Sequence, residues 1–257
     1  MSGDVQLIDS GNGSIGRLVR TASALFARPD FAPTALVGGL AVTIRLATAH
    51  RATVDVDTVA EGEGPRGLAL RYLGDAGAAS TDRIEIDGVK VDVMATWPLP
   101  TTADELPEKD SDRLFVLGHR WALETATPVT VEVLQQDGVT ATQSIALPVA
   151  TVPALIACKL HAIGDRRGAS ASKQESDALD LVRLVGDLVR SVQSGEPFAE
   201  APFDLQMLVI QQIERRFIGE ALRTARLVGS ATAGGPPFDA NSISTLGRLF
   251  IDQVAPI

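Results

Sequence analysis

The spacing of hydrophobic residues changes along the chain. As far as residue 150, short apolar segments alternate with segments of helical spacing, whereas only helical spacing continues beyond Pro148 and Pro153. Strands are predicted at residues 34–37, 53–59, 83–86, 90–95, 129–134 and 139–147. Helices are predicted at residues 15–26, 40–47, 68–73, 113–124, 154–164, 173–192, 205–228 and 242–254. We therefore predict an α/β (α+β) fold, with a mixed-sheet domain over residues 1–150 and a helical lobe over residues 151–257.

Composition narrows the class of protein. Hydrophobic residues make up 45% and charged residues 21% of the 257 positions, which is enough to bury a core. Cys158 is the single cysteine, so internal disulfides and zinc sites built on several thiolates are excluded. The apolar run at residues 35–44 is shorter than the roughly 20 residues of a membrane span, and the first residues lack a signal-peptide pattern. We expect a soluble cytoplasmic protein.

Charge limits the choice of partners. The net charge is −9, whereas proteins that bind nucleic acid over their whole surface are usually basic. Residues 82–137 hold 12 acidic and 5 basic side chains, but residues 159–226 hold 10 of each, so a polyanion is expected to meet the C-terminal half. The candidate contacts are Arg166, Arg167, Arg215, Arg216, Arg223 and Arg226. The last four also suit an ordinary solvated helix face.

Two carboxylates alternate along the predicted strand at residues 53–59. Asp55 and Asp57 are two positions apart, so both side chains point to one face. Like charges this close repel one another unless a cation neutralises them, and hard oxygen ligands suit Mg²⁺ or Mn²⁺. Asp92 lies on a later strand and joins the pair if the two strands are neighbours. Alone, an Asp-x-Asp pair more often marks the wet face of a half-buried strand.

A glycine pair, Gly38 and Gly39, stands between a predicted strand and a predicted helix. Glycine lets backbone amides approach an anion closely, with the positive end of the helix dipole behind them. An isolated pair is more often a tight turn. The order of strand, glycine pair, helix and alternating carboxylates, however, predicts a triphosphate cradle beside a metal site.

The segment from Leu36 to Asp57 resembles the nucleotidyltransferase signature of the DNA polymerase β superfamily, in the version of the AbiEii toxin family and the related MenT-type toxins. That signature is a Gly-Gly or Gly-Ser turn, a helix, and then Arg-x-Ser/Thr-x-Asp-x-Asp. In this chain the last part runs from Arg51 through Thr53 and Asp55 to Asp57. A second family signature is a lysine, an arginine and a helix with Lys-Asp-x-x-Asp-Leu. Lys159, Arg166 or Arg167, and residues 173–181 resemble it, with Gln174 where the family often has Asp.

The resemblance implies roles for the matched residues. Gly38 and Gly39 hold the β- and γ-phosphates, Asp55 and Asp57 bind the metal ions, and Asp92 helps to activate the acceptor hydroxyl. Arg51 and Thr53 orient the carboxylate strand or contact phosphate, Lys159 contacts the nucleotide phosphates, and Asp177 or Asp180 completes the far wall.

Plainer interpretations of the second signature are also open. Lys173 and Asp177 are spaced as a surface ion pair. Lys159 lies in an apolar run, so it either extends its ammonium to solvent or points into a cleft, where its truncation would cost little stability. Cys158 fits a small core residue, and His119 and His161 fit structural positions.

The resemblance implies a toxin of a toxin–antitoxin system that transfers NMP from an NTP to an RNA hydroxyl, such as the tRNA acceptor end. Mg²⁺ or Mn²⁺ is then the cofactor, and a cognate antitoxin is a partner. Two alternatives stay open. One is a nucleotidyltransferase acting on a small molecule or a protein, which the net charge of −9 suits better. The other is a non-catalytic nucleotide-binding interaction module.

Overall fold

The computed structural model of the chain describes residues 4–9, 14–27, 34–48, 53–62, 83–99, 105–135, 137–138, 140–165, 171–191, 198–232 and 238–254. The chain divides into two compact units. The first comprises Met1–Leu99 and His119–Thr151, and the second comprises Pro100–Gly118 and Val152–Ile257.

A mixed sheet forms the centre of the first unit. Its strands are β1 (Asp4–Ile8), β2 (Thr34–Val37), β3 (Asp55–Glu61), β4 (Arg83–Ile86), β5 (Val89–Thr96), β6 (Thr127–Leu134) and β7 (Ala141–Val149). Among the described residues these seven strands lie in the order β1-β6-β7-β2-β3-β5-β4. β3 is antiparallel to β2 and parallel to β5, which is the arrangement that positions the site.

Two helices of the first unit follow from the sequence pattern. Helix α1 (Ser14–Phe26) buries an apolar stripe that includes Leu18, Val19 and Leu25. Helix α2 (Gly38–Leu46) begins directly after β2, with no intervening loop. Near its end, the Arg45 guanidinium donates hydrogen bonds to the carbonyl oxygens of Val149 and Ala150, so α2 is fastened to the end of β7.

The described part of the second unit contains helices, joined by turns, and no strand. The helices are the first part of α3 (Asp110–Glu124), then α4 (Val152–Asp165), α5 (Ala171–Arg190), α6 (Phe203–Ile213), a π-helical segment (Glu214–Gly219), α7 (Ala221–Ala231) and α8 (Ala240–Val254). Helix α5 packs against α4, α7 and α8. Phe198, Phe217 and Phe250 are fully buried in this core. None of the described helices has the length and apolar character needed to cross a membrane.

The predicted α/β (α+β) class, a mixed sheet followed by helices, is confirmed. Strand β1 was not predicted, because it is an edge strand in which only Leu7 is buried and the alternation is weak. The helix predicted at residues 205–228 is three pieces, since the π-helical segment interrupts it. The helix predicted at residues 68–73 lies outside the described residues.

Candidate active site

Three carboxylates meet at one end of the sheet. β3 and β5 pair in parallel with Asp57 opposite Asp92, and Asp55 lies two residues earlier on the same face. The predicted condition for a third ligand is therefore met. In this carboxylate cluster (Asp55, Asp57 and Asp92), one oxygen from each residue lies within 4.8 Å of the other two, and all three residues are half-buried.

The spacing of these oxygens fits a divalent cation. Oxygens bound to one Mg²⁺ at about 2.1 Å lie up to roughly 4.2 Å apart, so small side-chain rotations bring the three carboxylates into reach of a shared ion. Carboxylate oxygens are also the ligand type that Mg²⁺ and Mn²⁺ prefer. The residues present therefore suit the metal that the sequence predicts.

The glycine pair is shaped by the carboxylate beside it. Gly38 has a φ of +67°, and a Cβ atom built there would lie 1.8 Å from Oδ2 of Asp57. The backbone N–H of Gly39 donates to the same oxygen, with an N···O distance of 3.3 Å. The sequence predicted that this turn lets amides approach an anion closely. In the structure that anion is the carboxylate of Asp57, so the turn orients a predicted metal ligand.

Lys90 is a neighbour that the sequence analysis did not select. Its Cα is paired with that of Asp55 in the parallel ladder between β3 and β5, so its exposed side chain shares the face of the carboxylate cluster. The signal was present in the sequence, because Lys90 and Asp92 are two residues apart on one strand. Its use depended on knowing that β5 lies beside β3.

A second group of predicted residues meets inside the second unit. The ammonium of Lys159 lies 2.9 Å from Oδ1 of Asp177 and 2.7 Å from Oδ2 of Asp180. All three side chains of this lysine cluster are buried, and that of Lys159 is 7% exposed. Lys159 therefore does not extend its ammonium to solvent. Asp177 faces Lys159 from within the core, so a surface pair with Lys173 is not its setting.

The other predicted residues have varied positions. Thr53 is buried just before β3. Arg51, Arg166 and Arg167 lie outside the described residues. Of the arginines proposed for a polyanion, Arg215 and Arg223 both pair with Glu220, Arg226 is exposed, and Arg216 is half-buried rather than part of an exposed stripe.

Cys158, His119 and His161 lie in structural positions. Cys158 is buried, and burial raises the pKa of its thiol to about 12, so the thiolate is scarce at neutral pH. Nδ1 of His161 lies 3.0 Å from the carbonyl oxygen of Ser111, and its ring packs against Phe115. His119 is buried. These settings agree with the structural positions expected from the sequence.

Comparison with known proteins adds to this geometry. The family model described as "Nucleotidyl transferase AbiEii toxin, Type IV TA system" matches residues 18–201, well over half of the chain. The chain belongs to the AbiEii family. No curated protein and no solved structure matches it significantly. AbiEii membership identifies a nucleotidyltransferase toxin of a type IV toxin–antitoxin system, with a nucleotide substrate and an antitoxin partner.

The AbiEii match spans both clusters. Residues 18–201 include Gly38, the carboxylate cluster and the lysine cluster, but they end before the π-helical segment. The resemblance drawn from two short motifs is therefore confirmed at the level of the family. Everything from α6 onward lies beyond the matched region.

Proposed function

We propose that this AbiEii-family protein transfers a nucleoside monophosphate from an NTP to a hydroxyl of RNA, with the tRNA acceptor end as target and Mg²⁺ or Mn²⁺ as cofactor. The observation that carries the proposal is the carboxylate cluster beside the glycine pair. A divalent metal bound there would neutralise charge on the triphosphate and on the departing pyrophosphate.

The residues of the carboxylate cluster have two roles in the proposed reaction, metal binding and proton acceptance. Asp55 and Asp57 hold the metal ions, and the Gly39 amide keeps the Asp57 carboxylate turned toward them. Asp92 accepts the proton of the acceptor hydroxyl. The hydroxyl oxygen then forms a bond to the α-phosphorus, the bond from that phosphorus to the bridging oxygen breaks, and pyrophosphate leaves.

The remaining predicted roles are proposals of the same kind. Arg51 and Thr53 precede β3 in the sequence, and their proposed role is to orient the carboxylate strand or to contact phosphate. Gly38, the first residue of α2, contributes backbone to phosphate binding with Gly39. From the AbiEii resemblance we also propose that Lys159, with Asp177 or Asp180, contributes to nucleotide binding. A Lys159→Arg variant, which keeps the buried charge, tests that role by its NTP affinity.

A labelling experiment tests the proposed function. The protein is incubated with each of the four labelled NTPs, Mg²⁺ and total cellular RNA, and the labelled product is separated by size and by nuclease and protease sensitivity. We expect a nuclease-sensitive product of tRNA length. Labelling should be lost with a chelator and with Asp55→Asn.

Three other outcomes would contradict parts of the proposal. A labelled protein or small molecule with no labelled RNA favours the small-acceptor enzyme that the net charge of −9 suits. NTP binding without any labelled product favours a non-catalytic module. Undiminished labelling by Asp55→Asn removes that residue from the metal site.

A further inference from the structure

Arg216 is an arginine of the second unit whose guanidinium is partly enclosed. Arg216, in the π-helical segment, is half-buried, and its Nε is enclosed with no hydrogen-bond partner among the residues that the structure describes. Burial lowers the pKa of its guanidinium, although an arginine stays charged at neutral pH. An enclosed cation of this kind is costly unless an anion meets it.

Glu220, a carboxylate that acts on Arg216, is already paired with two other arginines. Glu220 accepts from Nε of Arg215 at 3.0 Å and from Nη1 of Arg223 at 3.3 Å. Glu220, Arg215 and Arg223 are the charged groups among the described residues that act on Arg216, so within this set three arginines share one carboxylate. The surroundings of Arg216 therefore have an excess of positive charge.

A small cavity in the second unit is lined in part by Arg216. Its volume is about 40 Å³, and its polar lining comes from Gln174, Arg216, Glu220, Arg223 and Thr224. Nη2 of Arg216 lies 3.5 Å from the position that a Cβ atom would take on Gly164, so the guanidinium tip reaches α4. Ile163, Ala178 and Leu181 supply apolar walls from α4 and α5.

The size of the cavity restricts its occupant. About 10–15 Å³ of such space holds one water, so this cavity has room for a few waters or a single tetrahedral oxyanion. Ligand pockets for whole nucleotides are on the order of 300–1,000 Å³. The cavity therefore suits one phosphate group and excludes a base or a ribose.

We propose that this cavity binds one phosphate group, with Arg216 as its main ligand and Arg223 and Gln174 as further donors. Planar guanidinium groups match phosphate oxygens with paired hydrogen bonds. The π-helical turn supports the proposal, because such turns concentrate at functional sites and here it places Arg216 against the cavity. Arg216 and Arg223 lie beyond the AbiEii match, and the proposal does not depend on the transfer reaction.

The test measures phosphate binding by the full chain without NTP or metal. Inorganic phosphate is titrated by calorimetry at constant ionic strength, with chloride as the balancing anion. In a second arm, a 5′-phosphorylated dinucleotide is compared with its unphosphorylated form, which separates RNA phosphate from free phosphate as the source. We expect Arg216→Gln to weaken phosphate affinity at least about tenfold. The matched control Arg248→Gln, an exposed arginine of α8 that does not line the cavity, should leave it unchanged.

Thermal unfolding separates a ligand site from a structural arginine. Without phosphate, Arg216→Gln should unfold at the same or a higher temperature than the wild type, because it removes an uncompensated charge. Phosphate should then stabilise the wild type and not the variant. The proposal is overturned if neither phosphate nor the phosphorylated dinucleotide binds, or if both variants bind alike. It is also overturned if Arg216→Gln unfolds early and phosphate stabilises neither protein.

Discussion

The carboxylate cluster and the lysine cluster contain the same side chain, aspartate, in opposite electrostatic settings. In the first, three half-buried carboxylates lie within 4.8 Å of one another, and one of them accepts from the neutral amide of Gly39. In the second, two buried carboxylates share the ammonium of Lys159. Three like charges at short range suit a cation supplied from solution, whereas the second set contains its own.

The two clusters are expected to affect the stability of the fold in different ways. Mutual repulsion makes the carboxylate cluster a cost to the fold that a bound metal would offset. The lysine cluster contains one cation of its own within the core, and removing that cation would leave two buried carboxylates behind. A mutation that removes charge should therefore have opposite effects on folding in the two clusters.

The largest effect is expected when the lysine cluster loses its cation. Lys159→Met should lower the free energy of unfolding by about 3–5 kcal/mol, because Asp177 and Asp180 stay buried without their shared partner. This prediction differs from the sequence-based expectation that truncating Lys159 costs little, because the structure buries the ammonium between two carboxylates. Denaturant unfolding at neutral pH measures the change.

Two variants sharpen this result. Lys173→Met changes an exposed lysine on α5 and should alter stability by less than about 0.5 kcal/mol. Adding Asp180→Asn to Lys159→Met should restore part of the loss, because one uncompensated carboxylate disappears. A loss below about 1 kcal/mol in Lys159→Met would show that the cluster is not a structural ion pair.

The carboxylate cluster should respond in the reverse way. Asp57→Asn keeps an acceptor for the Gly39 amide but removes one of three like charges, so stability without metal should stay constant or rise. Mn²⁺ affinity should fall at least about tenfold, and turnover at least about a hundredfold. Titration calorimetry with Mn²⁺ and unfolding with and without metal provide the measurements.

The control for Asp57→Asn is Asp4→Asn, which removes an exposed carboxylate from β1, at the opposite edge of the sheet from β4. It should leave metal affinity unchanged. Destabilisation of Asp57→Asn in the absence of metal, with unchanged Mn²⁺ binding, would place Asp57 in the same structural class as Asp177.

A third variant tests the glycine turn that orients Asp57. Gly38→Ala combines a φ of +67° with a Cβ atom 1.8 Å from the Asp57 carboxylate. We expect a stability loss of about 1–3 kcal/mol and weaker Mn²⁺ binding, because the carboxylate must move. Gly88→Ala is the matched control, since its φ is +72° and nothing lies within 4 Å of the added Cβ. It should show the backbone strain and no change in metal binding.

Local sequence patterns predicted the strands and the side-chain directions of the carboxylate cluster, but not the strand pairing that brings its members together. Alternation places Asp55 and Asp57 on one face, and the hairpin signal at Asp87-Gly88 locates the strand that carries Asp92. The pairing of β3 with β5 is a contact between distant segments, so the inclusion of Asp92 could be predicted only on the condition that the two strands are neighbours. The register of Asp57 and Asp92 meets that condition. Lys90 was missed for the same reason.

Features that depend on helix packing were not predictable from spacing. The spacing of residues 205–228 fits one continuous helix. No residue pattern in this segment predicts the π-helical turn, which changes which side chains face inward. Arg216 was therefore grouped with exposed arginines. Likewise, spacing along the chain offered Lys173 as the partner of Asp177, whereas the packing of α4 on α5 gives it Lys159.

The smallest effect is expected from the exposed ion group of Glu220. Its hydrogen bond from Arg215 holds the pKa of the Glu220 carboxyl below its ordinary value. The folded-state pKa is thus below the unfolded one, so the stabilisation is present above about pH 4.3 and is lost as the pH falls through the folded pKa. Both arginines are more than 60% exposed, and Glu220→Gln should therefore cost less than about 1 kcal/mol at neutral pH.

Unfolding of Glu220→Gln and wild type across a pH series measures this difference, which should vanish in acid. The same variant links the surface group to the cavity beside Arg216. Removing the single carboxylate from its lining raises the local positive potential, so phosphate affinity should increase while stability falls slightly. A fall in phosphate affinity would instead mean that Glu220 holds Arg223 in place for the ligand, and the charge balance around Arg216 would no longer be what controls binding.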